Sequence, residues 1–102
     1  FFAGEFSHAI RKLPQPGDYR VQDMYGGSVH PHTPTAEEIA LATSALRQTP
    51  LPTTYARVDL VRHAGQLLIM ELELIEPELF LPAAPGAAGR YAAALQAQLA
   101  AA

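Results

Sequence analysis

Charged side chains recur at every second position in one stretch of the sequence. Arg57 and Asp59 alternate with apolar residues, and Glu71 and Glu73 alternate with leucines a short distance later. Residues two apart in a strand share a face, so the two glutamates would lie about 6–7 Å apart. Oxygen ligands of this kind suit Mg²⁺, and a neighbouring arginine can hold a phosphate or a developing negative charge. These residues are therefore a candidate magnesium and phosphate site.

The same alternation has a simpler interpretation. An exposed face of an antiparallel sheet also carries charged residues at every second position, and Arg57 would then pair locally with one of the acids. From the pattern alone this interpretation is the more common one. Like charges that face each other across strands do, however, destabilise a sheet unless a positive group lies between them.

A β-hairpin is the element that would bring these side chains together. Residues 54–62 are rich in β-branched residues and alternate, residues 63–66 predict a turn, and residues 67–75 predict the returning strand. A hairpin folded about Gly65 would place Asp59 nearly opposite Glu71. The sequence thus predicts three carboxylates on one face of a sheet.

The segment before this hairpin predicts two further strands. Residues 5–13 predict a short strand, residues 14–18 a turn built on proline and glycine, and residues 19–25 a second strand with alternating residues. Residues 28–35 carry two prolines and two histidines and predict a loop.

Two helices complete the predicted pattern. Thr35 followed by Glu38 is a capping box that starts a helix at Ala36, and this helix must end before Pro50. A second, alanine-rich helix is predicted after Gly89. We therefore expect an α+β fold, with an antiparallel sheet of about four to five strands and two helices.

Length and composition limit the classes of protein. A chain of 102 residues is one small domain or part of one, and its first residue is not methionine, so we interpret it as a segment of a longer protein. A net charge of −3 without a Lys/Arg run argues against nucleic acid as a partner. The absence of cysteine excludes disulfides and thiolate chemistry in this segment. No apolar run approaches the roughly 18–20 residues of a membrane span, so we predict a soluble protein without a membrane partner. The lack of cysteine fits the cytoplasmic location that we predict.

The four histidines are weaker candidates. His30 and His32 could bind a transition metal, but the proline between them and the lack of a third ligand nearby favour a surface loop. His8 could face a substrate or be a hydrogen-bonded structural residue. His63 is predicted in the hairpin turn, exposed to solvent.

Several motifs resemble, in order and spacing, the carboxyl-terminal half of ATP-grasp ligases. The matching segments are residues 4–12, 17–22, 55–61, 68–77 and 78–81. The resemblance covers nearly the whole chain and is to the branch with prokaryotic glutathione synthetase and the cyclo-ligase that makes D-cycloserine. It implies that residues 1–102 are the carboxyl-terminal part of an ATP-grasp domain, completed by an amino-terminal remainder of the same protein.

The resemblance also implies a metal site. Asp59, Glu71 and Glu73 match the acidic residues that hold two Mg²⁺ ions, which bridge the terminal phosphates of ATP in such ligases. Many family members have Asn at the position of Glu73. A glutamate there makes the site more negative, and we still expect it to bind Mg²⁺.

Three cations match the residues that such ligases direct at the nucleotide. Lys12 and Arg20 would contact its phosphates, and Arg57 would steady the transferred phosphoryl group or the acylphosphate, so Arg57 and Arg20 are the predicted catalytic residues. The alternatives are that Lys12 is an exposed strand-end residue and that Arg20 pairs with Asp18 or Asp23.

The activity implied is an ATP- and Mg²⁺-dependent ligation of a small carboxylate to an amine. ATP phosphorylates the carboxylate, and the amine then attacks the acylphosphate. We expect the isolated segment to be inactive, since the adenine-binding strands normally lie upstream, and a homodimer is compatible with this function. The alternatives are a non-catalytic ATP-grasp-like module that binds nucleotide or dimerises, and an unrelated α+β interaction domain that dimerises through an apolar sheet face.

Overall fold

A computed structural model describes residues 1–13, 28–50 and 52–101. In chain order, these ranges form β1 (Ala9–Leu13), β2 (Ser28–His32), α1 (Ala36–Arg47), β3 (Arg57–His63), β4 (Gln66–Glu73) and α2 (Ala87–Ala101). One turn of 3₁₀ helix, Leu81–Ala83, precedes α2. The predicted α+β class is confirmed. None of the helices in these ranges is long and apolar enough to cross a membrane.

The strands of the described ranges form two antiparallel pairs. β1 pairs with β2, and β3 pairs with β4, so the four strands make two small sheets where we had predicted one larger sheet. The prediction of a loop at residues 28–35 was wrong for Ser28–His32, which form β2 opposite β1. A strand of a two-stranded sheet needs only one edge for pairing, so it tolerates Pro31.

The amino-terminal segment is shorter as a strand than predicted. β1 begins at Ala9, whereas Phe2 forms isolated bridges with Glu5 and with Tyr55. The amide of Ala56 donates to the carbonyl of Phe1 over 3.0 Å, so residues 1–3 pair with the segment that leads into β3. The predicted turn at residues 14–18 and the predicted strand at residues 19–25 lie outside the described residues.

Helix α1 begins and ends where the sequence predicted. The amide of Glu38 donates to the Thr35 hydroxyl over 3.1 Å, and the Glu38 carboxylate accepts from the Thr35 amide over 2.8 Å, which completes the capping box. The helix buries Ala42 and Leu46 and packs against β3 and β4. It therefore supports the hairpin that carries the charged residues.

Helix α2 begins earlier than predicted, at Ala87, so that Gly89 lies inside it. The residue before the helix is Gly86, whose φ of +79° is a left-handed conformation that glycine adopts without strain. Tyr91 stacks on the ring of Phe2 with centroids 5.2 Å apart and meets Tyr55 edge-on at 6.1 Å. This aromatic contact holds α2 against the amino-terminal segment.

Substitution of Thr35 by alanine tests the capping box. We expect Thr35→Ala to lower the free energy of unfolding by about 1 kcal/mol, because one amide of the first turn loses its acceptor. Urea unfolding of the protein measures this change. Thr33→Ala, at an exposed position two residues earlier, is the control and should change stability by less than about 0.5 kcal/mol. Equal losses in the two variants would contradict a role for the cap.

Candidate functional site

The hairpin of β3 and β4 sets the positions of the charged residues. Its turn is Ala64-Gly65, with φ angles of +52° and +79°, which suits the glycine that we predicted at the bend. In the observed register Asp59 lies opposite Glu71, as predicted, and Arg57 lies opposite Glu73. Directly opposed residues of an antiparallel pair share a face, so all four side chains lie on one side of the hairpin.

A β-bulge lies directly beside these residues. Asp59 pairs with Glu71, but Leu60 pairs with Ile69, which leaves Met70 without a partner in β4. Bulges increase the local twist and are frequent next to functional sites, where they aim side chains. Simple alternation along the sequence does not reveal this irregularity. The bulge leaves the pairing of Asp59 with Glu71 and of Arg57 with Glu73 intact and shifts the register only between Leu60 and the turn.

The three predicted metal ligands lie together. Asp59, Glu71 and Glu73 each offer a carboxylate oxygen, and these oxygens all lie within 4.8 Å of one another. Asp59 and Glu73 are half-buried, whereas the side chain of Glu71 is 53% exposed. Within residues 1–13, 28–50 and 52–101, no other group of His, Cys, Asp and Glu side chains comes together in this way.

Arg57 contacts all three acids. Its Nε and Nη2 atoms each donate to one oxygen of Asp59 over 2.9 Å, and Nη2 also donates to Glu73 Oε1 over 2.8 Å. Glu71 Oε2 lies farther away, 3.8 Å from Nη2. The carbonyl of Glu78 accepts from Nη1 over 3.3 Å. Arg57 thus pairs locally with the acids, as expected for an exposed sheet face, and these acids are the three of the predicted metal site.

The charge of the cluster is not balanced. Three carboxylates around one guanidinium leave a net charge of −2. The protonated Glu71 carboxyl can donate a hydrogen bond to Glu73, and this bond, together with the charges of Glu73 and Asp59, raises the pKa of Glu71 above its ordinary value even though Arg57 opposes the shift. Burial lowers the pKa of Arg57, but its hydrogen bond to Asp59 and the three acidic charges outweigh that effect and raise it. A proton or a further cation is therefore favoured at Glu71.

Two of the three predicted phosphate-binding cations contact one aromatic ring. Lys12 Nζ, on β1, lies 5.1 Å from the centroid of the Phe80 ring, and Arg57 Cζ lies 5.7 Å from the same centroid. Arg20 lies outside the described residues. Phe80 was not among the predicted site residues, although the motif at residues 78–81 contains it.

His8 is a hydrogen-bonded residue of the fold. Its Nδ1 lies 2.8 Å from the Ser7 hydroxyl oxygen, and its Nε2 lies 2.7 Å from the carbonyl oxygen of Leu79. Both ring nitrogens thus have protein partners, which supports the structural alternative for this histidine.

The other histidines have separate environments. His30 Nε2 lies 2.9 Å from the Ser28 hydroxyl oxygen, and His32 Nε2 lies 3.1 Å from Glu38 Oε1 at the start of α1. Both residues lie in β2 and not in the predicted loop. His63 is exposed as predicted, but it is the last residue of β3, paired with Gln66, and not part of the turn.

One comparison with known proteins gives a match. No protein-family model matches the chain, and no solved structure matches it significantly. The chain is 36% identical over 114 aligned residues to "Cycloserine biosynthesis protein DcsG" of Streptomyces lavendulae. The alignment covers 97% of the chain but 36% of the relative, so the chain spans about a third of the length of this protein. The similarity agrees with the cycloserine branch that the motifs resemble, and the ATP-grasp assignment stays a prediction.

Removal of Arg57 should destabilise the hairpin. We expect Arg57→Ala to lower the free energy of unfolding by about 1–3 kcal/mol, because half-buried carboxylates lose charge-assisted hydrogen bonds and repel one another. Urea unfolding without added metal measures the loss. Arg62→Ala, at an exposed position of the same strand, is the matched control and should change stability by less than about 0.5 kcal/mol. If both variants lose the same amount, the guanidinium does not hold the cluster together.

The raised pKa of Glu71 predicts a pH-dependent stability. Since its folded pKa lies above the ordinary value of 4.5, its stabilising contribution is complete below pH 4.5 and is lost as the pH rises through the folded pKa. Glu71→Gln cannot ionise, so we expect it to raise the melting temperature near neutral pH without metal. The difference should shrink as the pH falls below 4.5, and high salt should reduce it by screening. A difference that does not change with pH would contradict repulsion as its cause.

Proposed function

We propose that this chain is the metal- and phosphate-binding part of an ATP- and Mg²⁺-dependent ligase that joins a carboxylate to an amine. The observation that carries the proposal is the convergence of the Asp59, Glu71 and Glu73 carboxylates within 4.8 Å, with Arg57 beside them. The similarity to a cycloserine biosynthesis protein supports a role in a biosynthetic pathway. In this proposal the ligase acts through an acylphosphate.

The donor set fits magnesium. All three side chains offer carboxylate oxygens, which are the ligands that Mg²⁺ prefers, and their net negative charge favours divalent cations. Asp59, Glu71 and Glu73 would hold two Mg²⁺ ions. When bound, the metal offsets the negative charge of the terminal phosphates of ATP.

The cationic side chains act on the transferred group. Arg57 lies at the border between the acids and Phe80. Its Nε and Nη2 atoms donate to Asp59 and Glu73, so Nη1, which donates to the Glu78 carbonyl, is the atom that would orient the phosphoryl group. Lys12, near the same ring, is positioned to contact a phosphate. Arg20, in the matching segment at residues 17–22, would be a further phosphate contact.

The proposed reaction has two steps. A carboxylate oxygen of the substrate forms a bond to the terminal phosphorus of ATP while the bond from that phosphorus to ADP breaks. The amine nitrogen then attacks the acyl carbon, phosphate leaves, and the nitrogen releases a proton to solvent. The residues that bind adenine and select the two substrates would belong to an amino-terminal remainder of the same protein.

A second candidate is a non-catalytic module that binds nucleotide or dimerises. Large apolar side chains are exposed on the hairpin, with Val61 at 43%, Leu68 at 42% and Met70 at 66% exposure, which favours contact with a second copy of the chain. Sedimentation at several protein concentrations and a test for ADP release separate the candidates. Nucleotide binding without turnover, by a dimer, would favour the module.

Calorimetric binding of Mg²⁺ with a non-hydrolysable ATP analogue tests the main proposal. We expect the full-length protein to bind the analogue only with Mg²⁺ present, and Glu71→Gln to weaken binding at least tenfold, roughly 1.4 kcal/mol, because a metal ligand is lost. The same variant should abolish turnover while it stays folded.

Glu76→Gln is the matched control, since Glu76 is an exposed glutamate three residues after Glu73 in the sequence and outside the cluster. It should bind the analogue as the unsubstituted protein does. Normal binding and turnover by Glu71→Gln would reject the metal assignment, and an equal loss in both glutamine variants would point to a general effect of charge.

A further inference from the structure

Phe80 is the one place in the described ranges where the two small sheets present cations to the same side chain. Lys12 belongs to the sheet of β1 and β2, and Arg57 belongs to the sheet of β3 and β4. Both cations lie within 6 Å of the centroid of the Phe80 ring, at 5.1 Å and 5.7 Å. Contacts at this range are attractive because the face of an aromatic ring carries negative partial charge.

An aromatic ring holds cations without neutralising them. Arg57 already forms ion pairs with Asp59 and Glu73. The ring of Phe80 has no net charge, so its contacts with Lys12 and Arg57 add no further carboxylate that would compete with an incoming anion. This arrangement suits the binding of a phosphate chain.

The backbone at Phe80 is held in an unusual conformation. Its φ and ψ angles of 51° and 39° lie in the left-handed region, which non-glycine residues rarely adopt. The Phe80 carbonyl accepts from the amide of Ala83 over 3.0 Å, and the preceding carbonyl, of Leu79, lies 2.7 Å from His8 Nε2. Hydrogen bonds therefore fix the chain on both sides of the ring.

The hydrogen bond from His8 is itself part of a chain. A carbonyl can only accept, so His8 Nε2 carries the proton and, in the neutral ring, Nδ1 accepts from the Ser7 hydroxyl. The Ser7 oxygen in turn accepts from Arg90 Nε over 2.9 Å. Ser7 and His8 thus help to fix the Leu79 carbonyl, directly before Phe80.

We propose that Phe80 is a positioning residue that holds Lys12 and Arg57 at one ring for the phosphates of a nucleoside triphosphate. The inference rests on the proposed function, which makes these two cations phosphate contacts. Phe80 itself need not touch the nucleotide. Its effect is to fix each of the two cations relative to the same ring before the anion arrives.

The test is the affinity of the full-length protein for Mg²⁺ and a non-hydrolysable ATP analogue. Phe80→Leu keeps apolar bulk but removes the ring, and we expect it to weaken binding roughly tenfold. Phe80→Tyr keeps the ring face and should restore binding to within about twofold. Phe6→Leu is the matched control: Phe6 is a 38% exposed phenylalanine that contacts the Phe1 ring, and its loss should leave affinity unchanged.

A coupling measurement separates positioning from a merely structural role. In a Lys12→Ala background, Phe80→Leu should weaken binding less than it does in the unsubstituted protein, because one of the two positioned cations is already gone. If Phe80→Leu fails to fold, a ring-fluorinated phenylalanine at position 80 keeps the shape and removes the negative charge of the face. It should weaken binding in the same direction.

The outcomes are distinct. Equal affinity of the unsubstituted protein and of the leucine or fluorinated variant would overturn the role of Phe80 and leave the proposed function standing. Full additivity with Lys12→Ala would also overturn it. If the unsubstituted protein does not bind the nucleotide, the proposed function fails, and the inference fails with it.

Discussion

The mutual repulsion of three carboxylates is the constraint on which the hairpin depends. Asp59, Glu71 and Glu73 lie within 4.8 Å of one another, and the Arg57 guanidinium, which contacts each of them, provides the attraction that holds them there. One positive charge among three negative charges is an incomplete balance, and the pKa of Glu71 rises as a result. The rest of the described structure keeps these groups at that spacing. The tight turn sets the register of the two strands, and α1 packs against both of them. The amino-terminal segment pairs with the residues directly before β3.

The two sheets are linked at the site by cation–π contacts with one aromatic ring. The described strands do not form one continuous sheet, so hydrogen bonds between strands do not set the distance from Lys12 to the acidic cluster. Phe80 spans this gap through its contacts with Lys12 and Arg57, and the chain of hydrogen bonds through Ser7 and His8 holds the backbone beside it. The stiffness of the site thus depends on a short irregular segment whose backbone is fixed from both sides.

The parts of the fold that follow from local sequence were predictable. The capping box of α1 depends on residues three apart, and the pairing of Asp59 with Glu71 follows from a turn at Gly65 and a period of two. The bulge at Met70 was not predictable, because alternation says nothing of an extra residue. The strand Ser28–His32 was missed because proline argues against strands and its partner is distant in sequence. The contacts of Phe80 join residues 12, 57 and 80, which no local pattern connects.

The presence of glutamate at position 73 has a physical explanation in this geometry. Asparagine, common at the matching position of the ATP-grasp ligases that the motifs resemble, would leave Arg57 with two carboxylates, whereas the Glu73 carboxylate accepts from Nη2 over 2.8 Å. The additional negative charge of Glu73 is therefore stabilised by a hydrogen bond. The excess negative charge of the cluster raises the pKa of Glu71, the most exposed of the three acids. Because Glu71 is open to solvent, an ion can relieve that imbalance without rearrangement of the buried side of the cluster. Arg57 would then keep its contacts to Asp59 and Glu73, and the Glu71 carboxylate would bind the ion.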